Sequence, residues 1–268
     1  KIMRDKIICN LCSFNRPKTL INTINSIYHQ CDIINVSLNE YDKIPSELFK
    51  EKITIFEMSN DKGDAHKFKE LKNCEGYFLS MDDDLIYDEN YVQYLINKID
   101  EYNRKNIITF HGRSFDTFPI KSYYKDYDII SHFSKPQEKD VKVQFGGTGV
   151  MGFHTDLFKI GLEYFKVPNM SDVWIGKYAK DNDIDIISAK RKKNFITQQK
   201  INETIYDNFK NKFEEVVAKM IDKKCLTPEI LIDAEIELSE ITPKFFRIIQ
   251  QMGPFGPHNM KPVFKSIC

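Results

Sequence analysis

The chain has 268 residues, 41% hydrophobic and 29% charged, the balance of an ordinary soluble globular protein and enough for one large domain with an appendage. Lys plus Arg and Asp plus Glu both total 39, so the formal net charge is zero, which argues against a general nucleic-acid binder with its basic excess. No run of about 18 apolar residues is present, which argues against a membrane span, and the start "KIMRDKIICNLCSF" is too polar to read as a signal peptide.

"KIICNLCSF" (6–14) reads as a buried strand closed by the turn "NRP". In "KTLINTINSIYHQ" (18–30), Leu20, Ile21, Ile24, Ile27 and Tyr28 recur at helical spacing. "INVSLNE" (34–40) and "ITIFEMS" (53–59) predict two more strands. "NDKGDAHKFKELKNC" (60–74) reads as a polar turn leading into a helix, followed by the strand "GYFLSMD". Strands alternating with helices predict a mainly parallel sheet with helices on its faces, and such sheets gather ligands at the carboxyl ends of their strands. "FNRP", "SNDKGD" and "MDDD" should therefore share one sheet edge. "NIITFHGR" (106–113) predicts another strand, and 116–140 a long polar loop. "VQFGGTGVMGFHTDLF" (143–158) reads as a glycine-rich turn and an apolar run entering a helix. "VPNMSDVWIGKYAKDNDIDIISA" (167–189) predicts an N-cap at Ser171, a helix carrying Trp174 and a last strand. A change of character near 210–225, from a helical start to a Pro- and Gly-rich end, divides the chain into 1–212 and 213–268.

The Cys9–Cys12 pair has CxxC spacing, but no second Cys or His pair follows at a zinc-site distance, so reduced thiols are expected. Three consecutive aspartates, Asp82, Asp83 and Asp84, are the sharper signal. Like charges this close repel, and either a solvated turn or a bound divalent cation would relieve them. On an extended segment Asp82 and Asp84 project from one side and can converge on one object. Their place after an apolar strand, at the ligand edge, favours the cation. His111 and His154 are candidate third ligands, with a hydrogen-bonded structural histidine the preferred reading of each. Arg113 and "KRKK" (190–193) could meet phosphate, although a solvated basic turn suits the run better. "GGTG" lacks the GK[ST] of a P-loop and should let backbone approach a ligand. Trp174 suits an acceptor site or the core equally.

"CSFNRPKTLINTINSIYHQ", "NDKGDAHKF", "GYFLSMDDDLIYDENYVQYLINKI", "GGTGVMGFHTDLF" and "PNMSDVWIGKY" together resemble glycosyltransferase family 2, in order and spacing, over about residues 6–190. The resemblance implies a GT-A (Rossmann-like) α/β fold. It also implies a metal-dependent, inverting enzyme that moves a sugar from a nucleotide-diphosphate sugar, a UDP-sugar for preference, to an acceptor hydroxyl. By position, "DDD" matches the DxD motif, with Asp82 toward ribose or metal, Asp84 as ligand of Mn²⁺ or Mg²⁺, and Asp83 beside the donor. Phe14, Asn15 and Arg16 match the turn that holds the nucleotide, with Asp61 in the same donor set. Lys67 falls where the family often has an arginine near base and phosphates, and Asn39, or Glu40, where an acidic residue commonly contacts the base, a departure that leaves the base identity open. Asp172 sits at the position of the catalytic base, helix capping beside Ser171 being the plainer alternative. The implied partners are a nucleotide-sugar donor and a glycan or lipid-linked acceptor. The implied setting is bacterial surface polysaccharide synthesis, cytoplasmic or peripheral at the inner membrane face.

"EIELSEIT" and "PFGPHNMKPVF" resemble the C-terminal part of RecJ-type single-strand-specific exonucleases. The Asp-His-His motif of that family has no counterpart, so no nuclease activity is expected and nucleic acid is not an expected partner. A sugar-phosphate nucleotidyltransferase is the competing enzyme class. A nucleic-acid-binding module, suggested by the tail alone, is the non-enzymatic alternative.

Overall fold

Apolar runs of the first two hundred residues pair into one large sheet in the computed structural model, which describes residues 4–116, 127–199, 232–252 and 262–266. Chain order runs β1 (Ile7–Phe14), α1 (Pro17–Ile27), β2 (Ile33–Asn39), β3 (Ile53–Met58), β4 (Tyr77–Asp82), β5 (Leu85–Tyr87) and α2 (Tyr91–Glu101). It continues through β6 (Ile107–Thr109), β7 (Gly112–Ser114), β8 (Ile129–Ser131), β9 (Val141–Val143), β10 (Phe145–Gly146), β11 (Val150–His154), α3 (Ser171–Asp181), β12 (Ile186–Ser188) and β13 (Ile196–Gln198). The eight-stranded sheet has the order β3-β2-β1-β4-β11-β6-β12-β9. Neighbours from β3 to β4 are parallel, whereas β11 runs antiparallel to both β4 and β6. This is the mixed α/β architecture the alternation predicts.

Residues alternate between the two faces of the sheet, and each face has its own core. Leu79 and Met81 of β4 pack with Leu20, Ile24 and Ile27 of α1 and Leu95 and Ile99 of α2. Phe78 faces the other way, into a cluster with Phe68, Phe153, Phe165 and Ile175. Phe78 stacks between Phe68 and Phe153 at centroid separations of 5.8 and 5.4 Å.

Register decides where the polar turns fall. Cys12 pairs with Asp82, Phe14 with Asn39 and Asn39 with Met58, so the carboxyl ends of β1 to β4 are flush. Val150 opposite Met81 brings the start of antiparallel β11, and the glycines before it, to the same edge.

Four local expectations are corrected. Residues Gly63–Phe68 form a 3₁₀ helix, and five of these six residues are buried, leaving no solvent face for an amphipathic α-helix. The apolar run after "GGTG" is strand β11, buried along its whole length, and enters no helix. "NIITFHGR" breaks at Phe110–His111 into β6 and β7, which belong to different sheets. Met170, not Ser171, is the N-cap of α3, because the Ser171 hydroxyl is committed elsewhere.

The chain divides into two units, Lys1–Lys200 and Ile201–Cys268. In the second unit a parallel pair, Ala234–Glu235 with Phe264–Lys265, accompanies a helix over Pro243–Gln251 capped by the Thr242 side chain. The helical stretch expected from 212, and the division at 212/213, lie outside the described residues. Among the described residues no helix is long and apolar enough to cross a membrane. Cys9, Cys12, Cys31 and Cys74 are free thiols.

Candidate active site

Asp82 is the last residue of β4, and Asp83 and Asp84 form the turn after it. The turn, rather than extended alternation, separates the three carboxylates. Asp83 points inward with its side chain 1% exposed, whereas Asp82 and Asp84 are 46% and 31% exposed and line a cavity of about 470 Å³. Burial pushes the Asp83 carboxyl up to about 6 even though the Arg16 guanidinium donates to it. Asn15 takes a φ of 47°, a left-handed conformation that asparagine tolerates, and so turns the chain from β1 into α1. Pro17 then opens α1, and Arg16 reaches back to Asp83 and, at 3.2 Å, to Asp84.

Lys67 comes from the 3₁₀ helix below. Its Nζ donates to Asp82 Oδ1 at 2.7 Å, and its side chain is 3% exposed. Burial alone would lower its pKa, but Asp82 and Asp64 hold it raised, so the ammonium persists. Two cations thus share the acidic turn, Lys67 beneath Asp82 and Arg16 between Asp83 and Asp84.

Asp172, at the start of α3, faces the same cavity. Its Oδ1 accepts from the backbone N–H and the hydroxyl of Thr148, both at 2.8 Å. Burial raises its pKa, and the two Thr148 bonds only partly offset that effect. Thr148 Oγ1 lies 2.9 Å from Ser171 Oγ, which donates to Asp64. Three oxygen–oxygen links therefore join Asp64 to Asp172 through two hydroxyls. Asp64 Oδ1 is itself buried without a partner.

His111, Arg113 and Phe133 line the cavity as well. Burial, aided by His132, lowers the His111 pKa to about 4, so the imidazole is neutral at physiological pH. Its Nδ1 is buried without a partner. Gly149 passes so close to Asp82 that a Cβ there would run into the carboxylate, and one at Gly147 would meet His111. The glycine-rich turn thus lets the backbone approach Asp82.

Arg16, Lys67, Asp82, Asp84 and Asp172 are brought together. Phe14, Asn15, Asn39, Asp61 and Asp83 do not line the cavity. Phe14 is half exposed at the end of β1. Asn39 is buried, with its amide donating to Asn60 and Gly63 and its oxygen 2.9 Å from His66 Nδ1, so it holds the 60–66 turn and both its amide protons are committed. Asp61 accepts from Ser59 at 2.7 Å and is 60% exposed. His154 lies at the other end of β11, bonded to Arg104 and paired with Asp156, and is structural. Trp174 packs edge-on against Tyr164 in the second core. "SNDKGD" and "GGTG" stood out as segments, but the individual roles of Asp64, Thr148 and Gly149 did not, because they lie in contacts across 107, 24 and 67 positions of sequence.

Among the described residues no three His, Cys, Asp or Glu side chains form a protein-only metal cage. Two carboxylates on one cavity still fit Mg²⁺ or Mn²⁺, which commonly take one or two carboxylates and complete their shell with water and substrate phosphates. The charged cavity thus lies at the carboxyl edge of the sheet, where α/β folds gather ligands. Residues 10–161 match the glycosyl transferase family 2 profile, and the chain belongs to that family. Residues 232–267 match the RecJ OB domain. No curated protein matches the chain. Among solved structures it is similar to a 4-diphosphocytidyl-2C-methyl-D-erythritol synthase from Anaerococcus prevotii, with 15% identity, 78% of this chain and 96% of that chain covered, and a TM-score of 0.44. At that score the likeness says nothing about activity.

Proposed function

We propose that the protein is a metal-dependent, inverting glycosyltransferase that passes a sugar from a nucleotide-diphosphate sugar, a UDP-sugar for preference, to an acceptor hydroxyl. The observation that supports this reading is the meeting of Asp82, Asp84 and Asp172 on one cavity, with Lys67 and Arg16 on the acidic side. Asp82 and Asp84 would hold Mn²⁺ or Mg²⁺, which supplies charge neutralisation for the departing diphosphate. Lys67 and Arg16 keep the carboxylates in place and add positive charge beside the same group. Asp172 takes the acceptor proton. Thr148 fixes its Oδ1, and burial makes it a stronger base than an exposed aspartate. The acceptor is a glycan or a lipid-linked glycan of the bacterial surface, a setting supported by family membership.

The test is a thermal-shift panel of UDP, GDP, CDP and dTDP, each with and without Mn²⁺. A ligand at about a hundred times its dissociation constant adds roughly 2.7 kcal/mol, so a shift seen with one nucleotide and only with metal is the expected result. No shift with any of the four would overturn the donor assignment. Pyrophosphate release from UTP and a sugar phosphate would favour nucleotidyl transfer instead.

A further inference from the structure

Three residues of the "KRKK" run, Lys190, Lys192 and Lys193, are exposed as its composition suggests, but Arg191 is buried. Lys190, Arg191, Lys192 and Lys193 line a second cavity, of about 690 Å³, that shares no lining residue with the candidate active site. Tyr94, Pro136 and Phe195 form its apolar wall. The Tyr94 hydroxyl donates to the Lys190 carbonyl at 2.9 Å, and its ring sits 5.3 Å from Phe195, so the wall is fixed.

Arg191 is 6% exposed, and its donors end on neutral oxygens. Nε donates to the Lys135 carbonyl at 2.9 Å, Nη1 to those of Ala189 at 3.1 Å and Gln137 Oε1 at 3.4 Å, and Nη2 to the His132 carbonyl at 2.6 Å and Ser131 Oγ at 3.2 Å. Burial lowers its pKa to about 10, and no carboxylate among the described residues pairs with it. Carbonyl dipoles satisfy the donors but leave the net charge, and a buried charge without a counter-ion is unfavourable. Around it, Asp88 takes Lys192 at 2.8 Å. The exposed ammonium groups of Lys190 and Lys193 have no carboxylate partner among the described residues. Glu138 is the only other acid on the cavity, so positive charge is in excess there.

We propose that this cavity binds an organic phosphate, with the phosphate on Lys190 and Lys193 in the field of Arg191 and the carbon skeleton against Tyr94 and Pro136. The lysine ammonium suits phosphate as a point charge. A volume of about 690 Å³ exceeds what a bare phosphate ion fills and lies in the range of small-molecule sites. The same chemistry is offered by a soluble phosphate ester and by a phospholipid headgroup.

The experiment uses the full chain. Glycerol 3-phosphate is titrated by calorimetry, and vesicles of phosphatidylglycerol in phosphatidylcholine are tested by co-sedimentation against phosphatidylcholine alone. The wild type should bind at least one probe. Lys190→Glu with Lys193→Glu should weaken that binding at least tenfold while leaving the thermal midpoint nearly unchanged, because both side chains are exposed. Asp84→Ala should leave it within twofold. Binding of the soluble ester alone assigns a metabolite, and binding of the vesicles alone assigns a lipid headgroup. Binding of neither probe, an undiminished double variant, or an equal loss in Asp84→Ala overturns the site. None of these readouts depends on the outcome of the nucleotide panel.

Discussion

Thr148→Val removes one hydroxyl and little else, since valine has the same shape and Thr148 is 1% exposed. That hydroxyl is one of two donors to Asp172 Oδ1, and a hydrogen bond to a charged group contributes about 1.5–3 kcal/mol. The backbone N–H remains, so the lower end of that range applies, and at 1.36 kcal/mol per pH unit the Asp172 midpoint should rise by about one unit. The sign follows from which form the bond favours: Thr148 stabilises the carboxylate, and its loss favours the acid. Carboxyl-carbon NMR of ¹³C-aspartate-labelled protein, with Asp172 assigned through Asp172→Asn, reads the midpoint directly. Stability gives a second reading. Asp172 already holds its proton more tightly folded than unfolded, so its contribution is fully present below the unfolded value and lost as pH rises through the folded one. Thr148→Val widens that window, so its deficit relative to wild type should grow as pH rises through the folded midpoint, by at most about 1.4 kcal/mol, or about 3–6 °C for a unit of this size. An Asp172 midpoint that stays put or falls in the variant, or a wild-type midpoint at or below that of an ordinary aspartate, would refute the assignment of Thr148 as its brake.

Asp84→Ala and Asp82→Ala should each abolish the Mn²⁺-dependent nucleotide shift, read in the same thermal panel. Asp172→Ala should keep that shift while removing sugar transfer, and normal turnover would end its assignment as the base. Gly149→Ala should weaken metal-dependent nucleotide binding at least tenfold, because its methyl group displaces the Asp82 carboxylate; unaltered binding in calorimetry would mean Asp82 does not hold the donor. Lys67→Met removes the cation under Asp82. A fully buried pair broken in this way costs about 3–5 kcal/mol, and the 46% exposure of Asp82 reduces that to roughly 1–2 kcal/mol. Urea unfolding should show the loss, and adding Asp82→Asn should restore most of it.

The sheet was legible because its strands are short apolar runs at regular intervals, and the parallel half follows from the helices between them. The antiparallel insertion of β11 was not, since five buried residues in a row look alike as strand or helix. Asp82 and Asp84 could be picked out by type and place, whereas Arg16, Lys67 and Asp172 were singled out by the family resemblance. Asn39 could not be judged: only the structure shows that its amide is committed to the 60–66 turn. Arg191 was misread for the opposite reason. Three lysines around it set the character of the run, and nothing local signals that the one arginine turns inward to five neutral oxygens.

The repulsion among three adjacent aspartates is resolved in three different ways. Asp83 goes inside, where burial and Arg16 act against each other and its carboxyl settles near 6. Asp82 is held by Lys67 on one oxygen and pressed by the Gly149 backbone from the other side. Asp84 meets Arg16 at 3.2 Å while staying partly open to the cavity. One buried carboxylate anchors the turn, which leaves the flanking two fixed in direction and only partly neutralised. Two carboxylates facing one cavity suit the cation proposed above, whereas a solvated turn would need neither the buried lysine nor the glycine.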